Sequence, residues 1–421
     1  MKFLAVLTTL SAAGLAAAGD GEIAFKKVKL DANFWGEGVA VADINKDGQM
    51  DVFAGDVWYE MVWSGDEPKW KRHEVRPIKA SSTSPDFRKT GGDPNGSPYN
   101  GAKGYSRSFA CFAGDFNNDG WVDFIVVDFP GAPFYWYENP KGQPVHWKEH
   151  VVWTSGCNET PYFGDVLGDG KPGILLGSQP EAQMVFLRPG ADANTKWSLF
   201  GVSAPHSKYG TEPFYHGLGV GDINGDGRPD VVVPHGWWER PAESSEQWKF
   251  HESHLSPPKH DPPQKDKEQW PMADLYVYDV NGDGLNDVIG SSAHKYGLWW
   301  FENVGPKEDP KFKTHIIRED ISETHAMRFD DLDGDGVKEI ITGKRYFSHM
   351  RGEPGSSDPA YLIYIKLGRE NGKPTFTSHV IDDDSGVGTQ FTTADVNNDG
   401  KLDVITANKK GVHVLLQQGK K

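Results

Sequence analysis

Seven copies of one short acidic pattern constrain the fold of this chain more than any other feature. Each copy places a loop close to D-x-[DN]-x-D-G-x-x-[DE] between two short apolar strands. The copies begin at Asp43, Asp115, Asp165, Asp222, Asp279, Asp331 and Asp395. A repeat of roughly 50 to 70 residues with about four short strands cannot bury its own apolar surface, so neighbouring repeats must cover one another. Seven such units are most easily closed into a ring.

The composition agrees with an all-β fold. The 421 residues include 49 Gly, 28 Pro and 12% aromatic residues, which is typical of many short strands joined by turns. The repeats run from about residue 40 to about residue 410 without a low-complexity linker. We therefore expect a single domain over residues 20–421.

Residues 1–19 predict a secretory signal peptide. Lys2 supplies a positive charge, Leu4 to Ala18 is apolar and small, and the stretch before Gly19 suits cleavage. No later segment approaches the run of about 18 to 20 apolar residues that spans a bilayer. We expect a secreted or periplasmic protein without a membrane span. The formal net charge of −16 disfavours nucleic acid and anionic membranes as partners, because both require basic surfaces.

The acidic loop has the oxygen pattern of a calcium site. In the fourth copy, side-chain oxygens stand at positions 1, 3, 5 and 9, which are Asp222, Asn224, Asp226 and Asp230. Position 7 can add its carbonyl oxygen, and calcium prefers hard oxygen ligands at this alternation. An EF-hand needs a carboxylate at position 12, where this loop has Val233. The pattern therefore predicts a calcium loop in a β-hairpin.

Five further copies keep the same ligand set. They are Asp43, Asn45, Asp47 and Asp51; Asp115, Asn117, Asp119 and Asp123; Asp279, Asn281, Asp283 and Asp287; Asp331, Asp333, Asp335 and Glu339; and Asp395, Asn397, Asp399 and Asp403. The third copy has Leu167 and Gly173 at positions 3 and 9, so we expect no metal there. Up to six Ca²⁺ ions are predicted. The alternative is a set of Asx turns without an ion.

The stretch V-G-D-I-N-G-D-G-R-P-D-V-V-V from Val220 to Val233 resembles the FG-GAP or VCBS repeat of integrin α-subunit propellers and many secreted bacterial proteins. This resemblance implies a seven-bladed β-propeller with four-stranded antiparallel blades and calcium in the hairpin loops. Ile23 to Leu30 is similar to the outer-strand segments Phe312 to Ile317 and Phe376 to Ile381, and the last repeat ends without such a strand. We expect the N-terminal strand to close the last blade.

The candidate functional residues stand where first strands begin and second strands end, at the rim opposite the acidic loops. They are His216, His235, His294, His325, His349, Arg107, Lys344, Arg345 and Tyr346. Five histidines at one rim favour a transition metal, such as Zn²⁺ or Mn²⁺, or proton transfer. We expect His216, His235, His294 and His325 to approach one point. Each one alone is also compatible with a hydrogen bond in a strand-end turn.

Other histidines and the two cysteines follow the repeat. His73, His150, His251, His315 and His379 recur in the frame W/F-x-x-H, which indicates a structural role in the outer strands. Cys111 and Cys157 precede the loops of consecutive repeats. Two buried thiols are favoured, and a disulfide is the alternative.

Three classes of function remain open. The first is a carbohydrate lyase or dehydratase, in which rim histidines hold a metal, a histidine, Tyr346 or Lys344 removes a proton, and Arg345 or Arg107 stabilises the enolate. The segment Glu323 to Ala326 has a more limited resemblance to the propeller of fungal aldos-2-ulose dehydratase. The second class is a propeller that binds a carbohydrate, another small molecule or a protein without catalysis. The third is a structural calcium-stabilised module.

Overall fold

The computed structural model describes residues 21–65, 67–78, 106–190, 197–243, 247–268 and 272–421. These residues form seven antiparallel sheets of four strands each, arranged as the blades of a β-propeller. The seven-bladed all-β prediction is confirmed. The predicted signal peptide lies outside the described residues. Among the residues described, no helix is long and apolar enough to cross a lipid bilayer.

The strands follow chain order within the first three blades. Blade 1 contains β2 (Ala40–Ala42), β3 (Asp51–Ala54), β4 (Val57–Ser64) and β5 (Glu67–Glu74). Blade 2 contains β6 (Ala110–Gly114), β7 (Asp123–Val127), β8 (Phe134–Glu138) and β9 (Lys148–Trp153). Blade 3 contains β10 (Tyr162–Gly164), β11 (Gly173–Ser178), β12 (Gln183–Arg188) and β13 (Ser198–Gly201).

The next three blades repeat this order. Blade 4 contains β14 (Gly219–Gly221), β15 (Asp230–Val233), β16 (Gly236–Glu239) and β17 (Lys249–Glu252). Blade 5 contains β18 (Met272–Tyr278), β19 (Asp287–Ser292), β20 (Tyr296–Asn303) and β21 (Phe312–Ser322). Blade 6 contains β22 (Met327–Asp330), β23 (Glu339–Gly343), β24 (Leu362–Glu370) and β25 (Lys373–Asp382), with a short 3₁₀ helix at Ser348–Arg351.

The seventh blade joins the two ends of the described chain. It contains β26 (Phe391–Ala394), β27 (Asp403–Asn408), β28 (Gly411–Lys420) and β1 (Ile23–Asp31). The strand β1 pairs with β28 from Ile23 opposite Lys420 to Asp31 opposite Val412. The ring is therefore closed by antiparallel hydrogen bonds between the first and last strands, as the outer-strand similarity predicted.

A buried carboxylate at the ninth loop position ties the acidic loop to its blade in every blade except the third, which has Gly173 there. In blade 4, Asp230 is fully buried and accepts hydrogen bonds from the backbone N–H groups of Ile223 and Arg240, both at 2.9 Å. Ile223 lies in the loop and Arg240 follows the third strand. The same pair of bonds recurs at Asp51, Asp123, Asp287 and Asp403. The ninth residue thus fixes the loop against the third strand of its own sheet.

The outer-strand histidines pack against the third strand. His251 stacks on Trp237 with 4.2 Å between ring centroids, and its Nε2 lies 2.7 Å from a carboxylate oxygen of Glu239. The same stack and contact occur at His73, His150 and His315. In blade 6, His379 stacks on Tyr364 instead. These histidines therefore serve the blade, as their repeat frame indicates.

Both cysteines are buried free thiols, so the favoured alternative is confirmed. The Cys111 Sγ lies 3.0 Å from Ser108 Oγ, and the Cys157 thiol donates to the Gly177 carbonyl at 2.9 Å. Burial raises the pKa of Cys111 to about 11 and that of Cys157 to about 12. The thiolate forms that react are therefore disfavoured at neutral pH.

We expect the substitution Asp230→Ala to lower the stability of the protein by about 2–4 kcal/mol, because it leaves two buried backbone N–H groups without an acceptor. Thermal unfolding should show this loss both with and without Ca²⁺. The matched control is Asp226→Ala, which alters an exposed position of the same loop. Equal losses in the two variants would contradict the structural role of the ninth residue.

Acid should weaken the closing blade through His413. This histidine is 1% exposed in β28, and burial together with Lys27 and Lys29 lowers its pKa to about 3, against the opposing effect of Asp382 and Asp384. The unfolded chain has a histidine pKa of about 6.5, so it binds more protons than the folded chain below that pH.

Stability should therefore fall as the pH drops from about 6.5 towards 3, by up to about 1.4 kcal/mol per pH unit from this group alone. We expect His413→Gln to reduce the pH dependence of the melting temperature over this window. The control is His254→Gln at an exposed position. An unchanged pH dependence in His413→Gln would show that this histidine is not responsible.

Candidate metal centre

Side chains from six of the seven blades meet in one buried cluster. His216 precedes β14, His325 precedes β22 and His294 follows β19, so three consecutive blades supply the imidazoles. Glu37, Glu159, Arg345 and Lys409 join them from blades 1, 3, 6 and 7. Contacts among so many blades are geometrically possible only near the central axis of the propeller. We call His216, His294 and His325 the histidine cluster.

The three Nε2 atoms of the histidine cluster point at a common centre. His216 Nε2 lies 3.1 Å from His325 Nε2 and 3.2 Å from His294 Nε2. All three ligand atoms lie within 4.8 Å of one another. Two nitrogens bound to one zinc ion at about 2.0–2.1 Å are about 2.9–3.4 Å apart for bond angles of about 90–110°. The two short separations therefore fit imidazoles around one metal ion, and the third pair lies within 4.8 Å.

The second ring nitrogen of His216 supports the same orientation, whereas the Nδ1 atoms of His294 and His325 have no hydrogen-bond partner among the described residues. His216 Nδ1 lies 2.6 Å from the backbone carbonyl oxygen of Phe214, to which it donates, so Nε2 carries the lone pair. His294 Nδ1 faces the Glu353 carboxylate at 3.7 Å. Metal-binding histidines in proteins commonly direct the other ring nitrogen to a carbonyl or carboxylate in this way.

Burial keeps the three imidazoles neutral, which is the form that binds metals. Burial, partly offset by Glu159, lowers the pKa of His216 to about 4. Burial also lowers the pKa of His294, and the nearby His216 and His325 lower it further. Burial lowers the pKa of His325 as well, and the positive charge of Arg345 adds to this effect. Neutral imidazole is a good ligand for Zn²⁺ and for other first-row transition metals.

Hydrogen bonds alone satisfy this arrangement poorly. The single lone pair of His216 Nε2 faces two other Nε2 atoms at 3.1 and 3.2 Å, and it can accept well from one N–H group. His325 Nε2 also lies 3.1 Å from an oxygen of Glu159 and has a second candidate partner there. A single bound cation, in place of the protons of these hydrogen bonds, would be coordinated by all three Nε2 atoms and by the Glu159 carboxylate.

A balanced set of charges surrounds the histidine cluster. Arg345 donates from Nε to Glu37 at 2.6 Å and from Nη1 to Glu159 at 3.2 Å, and Lys409 donates to Glu37 at 2.8 Å. All four side chains are at most 6% exposed. Burial raises the pKa of Glu159, but Arg345 and His325 outweigh this effect and hold the pKa well below its usual range. Glu159 is therefore ionised and lies within reach of a cation at the histidine cluster.

His349 lies beside the histidine cluster in a more open position. Its ring stacks on His294 with 4.5 Å between centroids, and its Nδ1 lies 2.6 Å from a carboxylate oxygen of Glu353. The His349 side chain is 35% exposed. His349 and Glu353 thus form an oriented imidazole and carboxylate pair next to the candidate metal centre.

Lys344 belongs to the support of the same rim. It forms an ion pair with Glu323, whose other oxygen accepts hydrogen bonds from Ser348 at 2.8 Å and Ser356 at 3.1 Å. Lys344 and Glu323 are buried, and the two serines belong to the loop that follows β23. The buried pair therefore fixes this loop over the rim side of the histidine cluster. Tyr346 lies in the same loop, with Lys410 Nζ 4.6 Å from its ring centroid.

Two of the predicted site residues take part in other sets of contacts. His235 Nδ1 lies 2.5 Å from Tyr215 Oη, and its ring stacks on Tyr209 at 4.6 Å. It is not part of the histidine cluster, in contrast to the expected approach of four histidines. Arg107 contacts Asp128 at 3.2 Å and Glu149 at 3.1 Å within blade 2. The catalytic roles predicted for His235 and Arg107 stay predictions.

The sequence reasoning selected the imidazoles and missed the carboxylates. Glu37 and Glu159 precede first strands, and Glu353 lies in the loop after β23. Glu37 and Glu159 therefore occupy the same kind of rim position as His216 and His325. Applying the rim rule to every ionisable residue type would have found Glu37 and Glu159.

The acidic loops have a donor set that fits calcium. In blade 1, Asp43 accepts from the backbone N–H of Asp47 at 3.1 Å, which folds the loop back on itself. Burial raises the pKa of Asp51 to about 7, and Asp47 and Asp43 raise it further by repulsion. In blade 6, carboxylate oxygens of Asp331, Asp333 and Glu339 lie within 4.8 Å of one another. A divalent cation would relieve this repulsion.

The third loop differs in its ligand set, although a basic side chain pairs with its carboxylate as in several other loops. Arg188 Nη1 donates to both oxygens of Asp169 at 2.7 and 2.8 Å. Gly173 takes the place of the buried carboxylate and packs against the backbone of Leu187. A guanidinium group thus neutralises the loop from which two oxygen ligands are missing, and the expectation that it holds no metal stays a prediction.

The sequence comparison identifies the repeat. A family model described as the FG-GAP-like repeat matches residues 115–176 and 279–342. The matched segments begin at the acidic loops of blades 2 and 5. The chain thus contains FG-GAP-like repeats in these two segments and folds as a seven-bladed β-propeller. No curated protein sequence matches the chain significantly.

Solved structures are similar to this chain at low sequence identity. A lectin of Agrocybe aegerita, described as recognising non-reducing terminal N-acetylglucosamine, is 16% identical with a TM-score of 0.44 over 86% of this chain and 81% of the lectin. The rhamnogalacturonan lyase of Bacillus licheniformis is 13% identical with a TM-score of 0.41 over 93% of this chain and 75% of the lyase. Likenesses at this level concern the fold alone.

Proposed function

We propose that the protein is a secreted, calcium-stabilised β-propeller that uses a transition-metal centre to act on a carbohydrate, in a reaction of the lyase or dehydratase type. The observation that carries this proposal is the convergence of His216, His294 and His325, whose Nε2 atoms lie 3.1–3.2 Å apart in two of the three pairs. The ligand set suits Zn²⁺ or Mn²⁺. A metal ion held there would supply a Lewis acid for an oxygen of the ligand.

The surrounding protein residues would bind, orient or accept protons in the proposed reaction. Glu159 adds one negative charge to the three neutral imidazoles, and Arg345 holds this carboxylate in place from 3.2 Å. His349 is the candidate base, because Glu353 accepts from its Nδ1 and leaves Nε2 able to take a proton. Lys344 and Arg345 act through the carboxylates that they hold rather than by touching the ligand. They are positioning residues.

A second function has its own supporting observation. The side chains of His325 and His216 are only 1% and 6% exposed. Structural metal sites are closed by protein ligands, whereas catalytic sites keep one position open. A closed centre would lock blades 3 to 6 together, and the propeller would then bind a carbohydrate or protein partner without catalysis.

The metal content of the purified protein tests the centre directly. We expect about one zinc or manganese ion per chain by elemental analysis, in addition to calcium. His216→Ala should reduce this content at least tenfold, because it removes the imidazole that faces both other Nε2 atoms. The matched control is His235→Ala, which alters a histidine outside the cluster and should leave the content unchanged. Wild-type protein that takes up neither ion would refute the metal centre.

Calcium removal tests the acidic loops separately. We expect an excess of chelator to lower the melting temperature by several degrees, because six loops lose the cation that offsets carboxylate repulsion. Added Ca²⁺ should restore it. Asp169→Ala in the third loop should leave the number of bound calcium ions unchanged, whereas Asp226→Ala should reduce it by one. A melting temperature indifferent to chelator would rule out stabilising calcium.

A further inference from the structure

A cavity of about 410 Å³ occupies the central channel of the propeller. First strands of blades 2 to 7 line it, with Phe112, Tyr162, Val220, Tyr276, Phe329 and Phe391 as one residue from each. Walls from six blades place the cavity on the axis, where the histidine cluster also lies. The volume is within the range of about 300–1,000 Å³ that is typical of small-molecule sites.

One end of the cavity opens at the rim that carries the acidic loops. Its lining includes Lys338, an exposed residue of the sixth acidic loop. The other end lies near the histidine cluster, because the lining also includes Thr160, Leu218 and Met327, although none of the three histidines lines the cavity. These residues follow Glu159, His216 and His325 by one or two positions, which corresponds to about 3–7 Å along an extended chain.

The opposite approach to the histidine cluster is partly covered. The loop after β23 is fixed there by Glu323, which accepts from Ser348 at 2.8 Å and from Ser356 at 3.1 Å. The rim side keeps some exposure through His349, whose side chain is 35% exposed. A pocket was expected at the rim opposite the acidic loops, whereas this cavity opens on the same side as the loops.

The channel wall combines aromatic rings with hydrogen-bonding groups. Tyr162 and Tyr276 supply phenol rings, and Phe329 supplies an aromatic face. Arg328 donates from Nε to Asp330 at 3.2 Å, while 38% of its side chain stays accessible within the channel. Its remaining N–H groups are therefore available to a ligand. Aromatic faces beside polar groups are suited to the apolar faces and hydroxyl groups of sugars.

The charges in the wall favour a neutral ligand. The guanidinium of Arg328 is balanced by the carboxylate of Asp330. Asp274 accepts from the backbone N–H of Met327 at 2.9 Å, and burial raises its pKa to about 7. Burial thus favours the protonated form of Asp274, which can donate as well as accept a hydrogen bond.

We infer that the central channel binds a neutral mono- or disaccharide, which enters from the acidic-loop rim and makes hydrogen bonds with Arg328 and Asp274. This inference builds on the proposed function: it specifies the class of carbohydrate and the route by which that carbohydrate enters the channel. It rests on the cavity and its walls, and it holds whether or not the histidine cluster contains a metal.

Saturation-transfer NMR with the full chain in Ca²⁺ buffer tests the site. The probes are D-glucose, D-galactose, D-mannose, L-rhamnose, lactose and cellobiose, with D-glucuronate and D-galacturonate as charged counterparts. We expect at least one neutral sugar to bind, and Arg328→Gln to weaken its binding at least tenfold. The matched control is Arg318→Gln, since Arg318 also pairs with an aspartate two residues later but lies on the outer strand β21.

Arg328→Lys keeps the charge and provides a second test if Arg328→Gln does not fold. Binding of a neutral sugar that survives in His216→Ala supports the channel site even if that variant holds no metal. Absence of binding by every neutral sugar, binding by the sugar acids alone, or wild-type affinity in both Arg328 variants would overturn the inference. Binding lost in His216→Ala but kept in Arg328→Gln would place the sugar at the histidine cluster and would also overturn it.

Discussion

The buried carboxylate at the ninth loop position is the interaction on which six of the seven blades depend, since blade 3 has Gly173 there. A carboxylate taken out of water is costly unless donors surround it. Asp230 meets this condition with two backbone N–H groups, one from the loop and one from just beyond the third strand. Loop, second strand and third strand are thereby fixed to one another by a single side chain. The other oxygens of the loop then stand in a preset arrangement, so a calcium ion would bind to a loop that the fold has already shaped.

At the axis, the repeats contribute different residues to one shared cluster. Glu37 and Glu159 each contact Arg345, and Lys409 completes the charge balance, so blades that are far apart in sequence are joined by buried ion pairs. Removal of one partner from such a network leaves an uncompensated buried charge, which is strongly destabilising. The same charges set the electrostatics of the histidine cluster, because Arg345 holds Glu159 ionised beside His325. The stability of the ring and the affinity for a cation thus depend on the same side chains.

The repeat made the fold predictable from the sequence, and position within the repeat made part of the site predictable. The acidic loops gave the number of blades, and the similarity of Ile23 to Leu30 to outer strands gave the closure. His216, His294 and His325 were found because rim positions recur in every blade. His235 occupies an equivalent position but turns to Tyr215, a choice that depends on side-chain packing rather than on register. Glu159 stands at a rim position, but the candidates were chosen for imidazole, basic and phenol groups, and Glu37 was not considered; the burial of both carboxylates becomes visible only in the structure.

The channel could not be foreseen in this way, because its walls come from alternating residues of strands in six blades. Each blade alone shows Tyr162, Tyr276 or Phe329 as an ordinary aromatic residue of a first strand, and only closure of the ring gathers them around one space. The acidic-loop rim was therefore interpreted as scaffold alone and the opposite rim as the functional face. The histidine cluster lies between the two. His349 stacks on His294 from the rim, and Thr160 and Met327 of the channel wall directly follow Glu159 and the His325 segment, so short backbone segments of the same blades connect the candidate metal centre to the cavity.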